Sequence, residues 1–356
     1  DLGKLFRKEN PDTTIFDENP LDEPLEMAYS VLVPRIKIYN GNLRLFGVDI
    51  PNQTLISSST VSLEDVNSDI FIEVSADQRF LDIEQLSFRV PEADISRINV
   101  FGQIFNDNEY LEFNAFSVTS ANTGLKFSSE IKGVNLLQGN IQDQLKGSTF
   151  SANIDEFIIT GKNLNKLLPS YPPLEGNLYT ELKANGTSDS LTVDELFILV
   201  GDSELEGSGG IRFATDQNAL SYSGFVDELI ADSANFAQWF PQFNTLQLET
   251  ITESDVRGSF VGSDNEISGD LRILNERGAA NLKGRFAFGN HNEFDFRLDF
   301  DDVNLGNLVV PQLQQTSLTG TITANSTSLD PANALGTLQM SLSSGGINAF
   351  AFDTLF

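Results

Sequence analysis

Cysteine is absent from this 356-residue chain, histidine and tryptophan occur once each, and methionine twice. Without a thiol there is no disulfide framework, no thiolate zinc site and no cysteine nucleophile. The lone His291, in Gly289-Asn290-His291-Asn292, cannot assemble the usual histidine-dependent metal and triad constellations and reads as a solvated residue at a hairpin tip. No apolar run reaches the roughly 18 residues that a membrane-spanning helix requires. Positive charge is scarce: 22 Lys and Arg face 51 Asp and Glu, for a formal charge of −29. That balance repels phosphate backbones and excludes nucleic acid as a partner class, and it opposes electrostatic docking on anionic membrane surfaces.

Apolar residues make up 40% of the chain, with 28 Phe, which is too much for a disordered acidic tail. The segment 1–30 is different: Asp17-Glu18-Asn19-Pro20-Leu21-Asp22-Glu23-Pro24 is acidic, punctuated by proline and without periodicity, as expected of a linker or flexible arm. The chain begins Asp1-Leu2-Gly3 and stops at Thr354-Leu355-Phe356 within an apolar stretch, the texture of an excised or processed piece.

From Val31 onward, period-two alternation dominates. Phe294, Phe296, Leu298 and Phe300 alternate with Asp295, Arg297 and Asp299, which places four apolar groups on one side of a strand and three charges on the other. Leu81 and Ile83, Leu178 and Leu182, Phe286 and Phe288, and Leu338 and Met340 repeat the pattern. Asn40-Gly41, Asn185-Gly186, Gly209-Gly210, Gly289-Asn290 and Gly345-Gly346 read as turns between half-buried antiparallel strands. Only Asn163–Pro169 and Asn235–Pro241 read as helices, each opened by an asparagine cap and stopped by proline.

Those two segments expose a repeat. Ile154-Asp155-Glu156-Phe157-Ile158 leading to Pro169 aligns without gaps on Val226-Asp227-Glu228-Leu229-Ile230 leading to Pro241, and a third copy follows at Asn304–Pro311. The spacing is about 70 residues, and an apolar-X-Gly step follows each proline, at Gly176, Gly258 and Gly320. The expectation is an all-β, elongated antiparallel sheet over 31–356 with a few short helices, the repeat being clearest from 154 onward. At about 14 residues per strand and turn, that is roughly 23 strands over about 110 Å. The apolar face has to be hidden by a second sheet, as in a sandwich or solenoid, or by an apolar guest in a curved trough; composition leaves both open.

The short helix Asn163–Pro169, the apolar-X-Gly step, Asn185-Gly186-Thr187, Leu191-Thr192-Val193-Asp194-Glu195-Leu196, the stretch 201–210 and Ile36–Leu43 together resemble the TamB and AsmA-like group of large envelope proteins. The resemblance implies a β-taco, a U-shaped sheet around an apolar groove, anchored in the inner membrane and crossing the periplasm of a diderm bacterium. It implies phospholipid acyl chains as ligand, movement between inner and outer membrane, and an Omp85-type outer-membrane protein as partner. Because the chain lacks both the anchor and a recognisable C-terminal end of that group, partner docking is not carried over. The groove wall is expected at Leu81, Ile83, Leu178, Leu182, Phe286, Phe288, Phe294, Phe296, Leu298, Phe300, Leu338 and Met340. No catalytic residue, metal ligand or cofactor is assigned. Alternative roles are a structural or adhesive β-solenoid with a closed core, or an assembly factor that pairs client strands at a sheet edge.

The remaining features have blander readings. Asp299, Asp301 and Asp302, and Asp264 with Glu266, are solvated strand faces without a calcium-loop pattern. Asn52-Gln53-Thr54, Asn185-Gly186-Thr187 and Asn325-Ser326-Thr327 match the glycosylation acceptor triplet, which arises often by chance. Trp239, with Phe236 and Phe240, reads as packing of a short helix across one end of the trough.

Overall fold

The computed structural model describes residues 30–46, 60–91, 95–121, 123–136, 140–167, 176–214, 219–231, 254–276, 278–288, 293–304, 316–328, 335–347 and 350–352. They form one antiparallel sheet of 18 strands. In chain order these are β1 (Val31–Phe46), β2 (Thr60–Val74), β3 (Arg79–Val90), β4 (Ile95–Asn106), β5 (Tyr110–Ser120), β6 (Thr123–Lys132), β7 (Thr149–Thr160), β8 (Asn177–Thr187) and β9 (Ser190–Val200). There follow β10 (Ser203–Ala214), β11 (Ala219–Ala231), β12 (Ser254–Ser263), β13 (Glu266–Asn275), β14 (Gly278–Ala287), β15 (Glu293–Val303), β16 (Thr316–Ser326), β17 (Gly336–Ile347) and β18 (Phe350–Phe352). Two seven-residue helices interrupt them, α1 (Ile141–Gly147) and α2 (Gly161–Leu167).

The topology is a meander: every strand pairs with the strand before and the strand after it. The sheet is open and curved, with β1 at one edge and β17 and β18 at the other. Strands are longer than the sequence spacing predicts, 10 to 16 residues apart from the three-residue β18, which is why 18 appear where about 23 were expected. Seventeen spacings of about 4.8 Å make the sheet roughly 80 Å long.

Register explains the curvature. Strict alternation fails in many strands, usually in the same way: two residues, mostly polar, stand between two apolar ones. In β7 the ladder steps from Ile154 to Phe157 while its partner steps only from Leu182 to Thr180. The same bulge occurs at Leu63-Glu64-Asp65-Val66, Ile83-Glu84-Gln85-Leu86, Phe113-Asn114-Ala115-Phe116, Val193-Asp194-Glu195-Leu196, Val226-Asp227-Glu228-Leu229 and Phe300-Asp301-Asp302-Val303. Both central residues point to the polar face, so the apolar residues on either side stay on the other. From β7 to β11 the bulges fall on alternate strands at nearly the same level of the ladder, so that they bend the sheet along a common line. Glycines lie beside this line; Gly102 at φ 129° and Gly258 at φ 146° adopt backbone that side chains rarely tolerate, and a Cβ on Gly258 would collide with the Asp270 carbonyl.

The glycine pairs are therefore not hairpin turns. Gly209-Gly210 lies within β10, Gly345-Gly346 within β17 and Asn185-Gly186 within β8, while Asn40-Gly41 sits at a bulge of β1 with Asn40 at φ 49°. The apolar-X-Gly steps at Gly258 and Gly320 fall inside β12 and β16, whereas Gly176 precedes β8, so the aligned glycines do different work. Described turns use Asp, Ser and Asn instead, as at Ser75–Gln78, where the Ser75 N–H donates to the Gln78 carbonyl at 2.8 Å. The helix α2 starts two residues before Asn163, and its cap is Thr160, whose Oγ1 accepts from the Asn163 N–H at 3.3 Å. Asn235–Pro241, Trp239, His291, Gly289-Asn290, Asn52-Gln53-Thr54, 1–29 and most of Asn304–Pro311 lie outside the described residues.

Bulge deletion provides a test. Removing Asp194 leaves Val193-Glu195-Leu196, which alternates correctly, whereas removing Glu181 from the regular strand β8 turns leucines on one side of the deletion to the wrong face. Deleting Glu181 should therefore lower stability by at least about 2 kcal/mol, the scale of exposing one leucine, and deleting Asp194 by clearly less. Urea unfolding midpoints check this; equal losses would mean that the bulges do not govern facing.

Candidate functional site

The ladder carries one apolar surface across the whole sheet. Starting at Leu81, paired positions run through Ile104, Phe113, Ser129, Ala152, Ala184, Val193, Gly209, Gly224, Phe260, Gly269, Gly284, Phe296 and Ala324 to Leu338. A second row runs from Leu182 through Leu196, Gly207, Val226, Gly258, Leu271, Leu282, Leu298 and Ile322 to Met340. The candidate wall residues on strands thus share one face: Leu178 opposes Ile159 and Val200, Phe286 opposes Phe294, Ile83 opposes Gly102, and Phe300 opposes Gly320. Phe288 lies just past β14, half exposed, its N–H donating to the Asn265 carbonyl at 2.6 Å.

No second layer covers this face among the described residues. Buried apolar side chains gather only in small clusters, such as Phe300, Leu318 and Leu342 near the crease of β15 to β17. Exposure rises along β17 from crease to strand end: Leu342 is 7% exposed, Met340 49% and Leu338 74%. That gradient is expected of a trough whose floor is the crease and whose walls are the half-strands on either side, since side chains crowd together where a sheet bends toward them. A sandwich interior would keep all three buried.

Aromatic rings line the trough lying down rather than standing up. Phe260 covers Gly224 and Tyr222 covers Gly262 so closely that a side chain on either glycine would collide with the ring. Phe113, Phe116 and Phe127 form a ring triad with centroids 5.4 to 5.8 Å apart, flanking the bulge of β5. Phe286, Phe294 and Phe296 make a second group, at 6.1 and 5.8 Å. Sequence reading missed Phe113, Phe116 and Phe127 because it sought strict alternation; two apolar residues flanking a polar pair was the signal that would have found them.

The opposite face is polar and ion-paired. Bulge acids find cations on nearby strands: Glu156 with Lys126 of the adjacent strand at 3.0 Å, Glu228 with Arg257 of the adjacent strand at 2.7 Å, and Glu84 with Arg35, two strands away across β2, at 2.9 Å. Asp299 is held by both guanidinium nitrogens of Arg297 at 2.8 Å and by Thr321 at 2.7 Å, which lower its pKa. Asp301 accepts from Thr319, Asp302 from Ser317, Glu266 from Arg285 and Asp264 from the Leu220 N–H. Among the described residues no group of three or more His, Asp or Glu is placed to hold a metal ion. These pairs are exposed, and each is worth little by itself.

One rim carries a buried polar network. Asn106, 1% exposed, donates to the Tyr110 and Val134 carbonyls at 2.9 and 3.0 Å and accepts from the Leu136 N–H at 3.1 Å. It thereby fastens the segment after β6, with Val134 1% exposed, onto the strand ends of β4 and β5. Asn135 and Gln144 exchange two further hydrogen bonds that tie α1 to the same segment. Among the described residues, two buried polar atoms have no hydrogen-bond partner, Ser68 Oγ and Arg79 Nε, and both residues belong to the apolar face.

Comparison with known proteins adds little. No family model matches the chain, and no curated protein matches it. Among solved structures, the crystal structure of Acinetobacter baumannii OccAB3 is 9% identical over 85% of this chain and 92% of that one, with a TM-score of 0.21, too low to indicate a shared architecture.

Titration offers a check on the polar face. The Tyr179 hydroxyl donates to the Glu181 carboxylate, which with desolvation pushes the phenol up from 10.0 to about 12. A raised pKa means that the pair stabilises the fold below about pH 10 and that this contribution disappears as pH rises toward 12. Ultraviolet phenolate titration should show one tyrosine ionising above the ordinary range, and Glu181→Gln should bring it back. Asp69, Glu266 and Asp299 shift the opposite way, each chiefly through a hydrogen bond from arginine. Their contribution is complete above the ordinary carboxylate range and should be lost on acidification below about pH 4.

Proposed function

We propose that this chain is a non-enzymatic segment of a periplasm-spanning protein of the TamB and AsmA-like kind, whose apolar groove shields phospholipid acyl chains moving between inner and outer membrane. The observation that carries this reading is the charge-free row of apolar and small residues from Leu81 to Leu338, left without a covering layer among the described residues. Fourteen strand spacings make that row about 67 Å long, more than twice the roughly 30 Å hydrocarbon thickness of a bilayer. A 16-carbon chain in water costs on the order of 12 kcal/mol at about 0.8 kcal/mol per CH₂, and a continuous trough removes most of that barrier. Apolar contact lacks direction, so a chain can slide along the row without breaking specific bonds. The resemblance of the repeated segments to that protein group supports the same reading, and with it the periplasm of a diderm bacterium as the location and an Omp85-type protein as a partner of the whole molecule.

The protein purified without detergent should carry phospholipid, detectable by native mass spectrometry and by solvent extraction. Phe296→Asp places a carboxylate in the wall where Phe296 faces Gly284 and Ala324, and it should cut lipid occupancy five- to thirty-fold, about 1–2 kcal/mol, while circular dichroism stays that of a β-sheet. Absence of lipid from protein made in several hosts would refute the reading.

A further inference from the structure

The apolar face is nearly free of charge, and the exception is informative. Of the described residues that the register places on it, from β1 to β17, only Arg79 is charged. It stands at the start of β3, opposite Val74 and Asn106 and one step above Leu81 on the way from floor to rim. Eleven described Lys and Arg residues pair with carboxylates, whereas Arg79 has no carboxylate within ion-pair distance among the described residues. Its Nη1 reaches Asn106 Oδ1 at 3.4 Å, its Nη2 donates to the Ala76 carbonyl at 3.0 Å, and its Nε donates to nothing. Burial lowers its pKa.

Two acids act on Arg79 through space, and their recorded hydrogen bonds go to other groups. Asp107 Oδ1 accepts the Glu109 and Tyr110 N–H groups at 2.6 and 2.8 Å, and Asp77 Oδ1 accepts from Asn108 at 3.4 Å. Asp77 and Asp107 attract Arg79 from a distance, but neither reaches its N–H groups, and a partly desolvated guanidinium with an unmade hydrogen bond is costly unless an anion completes it. Its position limits which anion: the polar end would lie at the rim, beside the Asn106 network, with only apolar side chains below. The match is an amphiphile whose charged end is an oxyanion, since guanidinium N–H groups form charge-assisted hydrogen bonds with phosphate.

We propose that Arg79 is the headgroup anchor of the groove, binding the phosphate of an amphiphile whose tail lies over Leu81, Ile104 and Phe113. The proposal rests on the groove reading and adds a polar specificity that apolar walls cannot provide. Calorimetric titration with dodecyl phosphate, dodecyl maltoside and inorganic phosphate tests it. The wild-type protein should bind dodecyl phosphate about tenfold more tightly than the maltoside, although its net charge of −29 repels anions. Arg79→Gln should abolish that preference and leave maltoside binding unchanged, and Arg79→Lys should restore part of it. Equal affinity of the wild type for both amphiphiles, or a preference that survives in Arg79→Gln, overturns the anchor while leaving the groove intact. Inorganic phosphate binding as tightly as dodecyl phosphate would make this a free-anion site and overturn the lipid assignment. Binding of neither amphiphile would overturn the groove and the anchor together.

Discussion

The fold depends on keeping apolar side chains on one side of strands that must also bend. A straight strand achieves the first by alternating, and a bend breaks alternation. Here the conflict is resolved by inserting one extra residue at the bend and making both residues of the resulting pair polar. The pair faces solvent, the flanking apolar residues remain on the inner side, and the local twist and bend of the bulge curve the sheet toward its apolar face. Repetition of this device from strand to strand turns separate kinks into a crease.

The crease organises the electrostatics as well. Because a bulge places two side chains on the outer face, their charges concentrate beside it, and several of the cations present pair with them. Lys126 and Arg257 each reach a bulge acid of the adjacent strand, and Arg35 reaches across β2 to Glu84 of β3. Such pairs are exposed and individually weak, so they orient neighbouring strands more than they stabilise them. At the free edge, β1 carries Pro34, Arg35 and Lys37, and the last two engage Asp69 of β2; proline and charge on an edge strand discourage pairing with a foreign strand. The remaining negative charge keeps such molecules apart.

Glycine and aromatic residues share the inner face for a geometric reason. A ring that stands upright narrows a trough, whereas a ring laid across a glycine of the next strand covers backbone and leaves the space above it open. Phe260 over Gly224 and Tyr222 over Gly262 are of the second kind. Abundant phenylalanine is therefore compatible with a thin wall, and the composition that equally suited a dry core takes on a different meaning once the rings are placed.

Alternation, the scarcity of helices and the lack of thiols and histidines determined, without any coordinates, an all-β antiparallel sheet with one apolar face; these are local properties, and side-chain period is enough to read them. That Phe294, Phe296, Leu298 and Phe300 share one face of a regular strand was legible for the same reason. Facing beyond a bulge was not, because a one-residue insertion reverses parity and only the partner strand reveals where the insertion sits: Asp155-Glu156 and Asp227-Glu228, aligned as a sequence repeat, are bulges. Tertiary structure alone decided that the glycine pairs lie inside strands, that the rows join across 15 strands, and that Arg79 shares the face of Leu81, since each of these is a statement about residues far apart in the chain brought together by pairing.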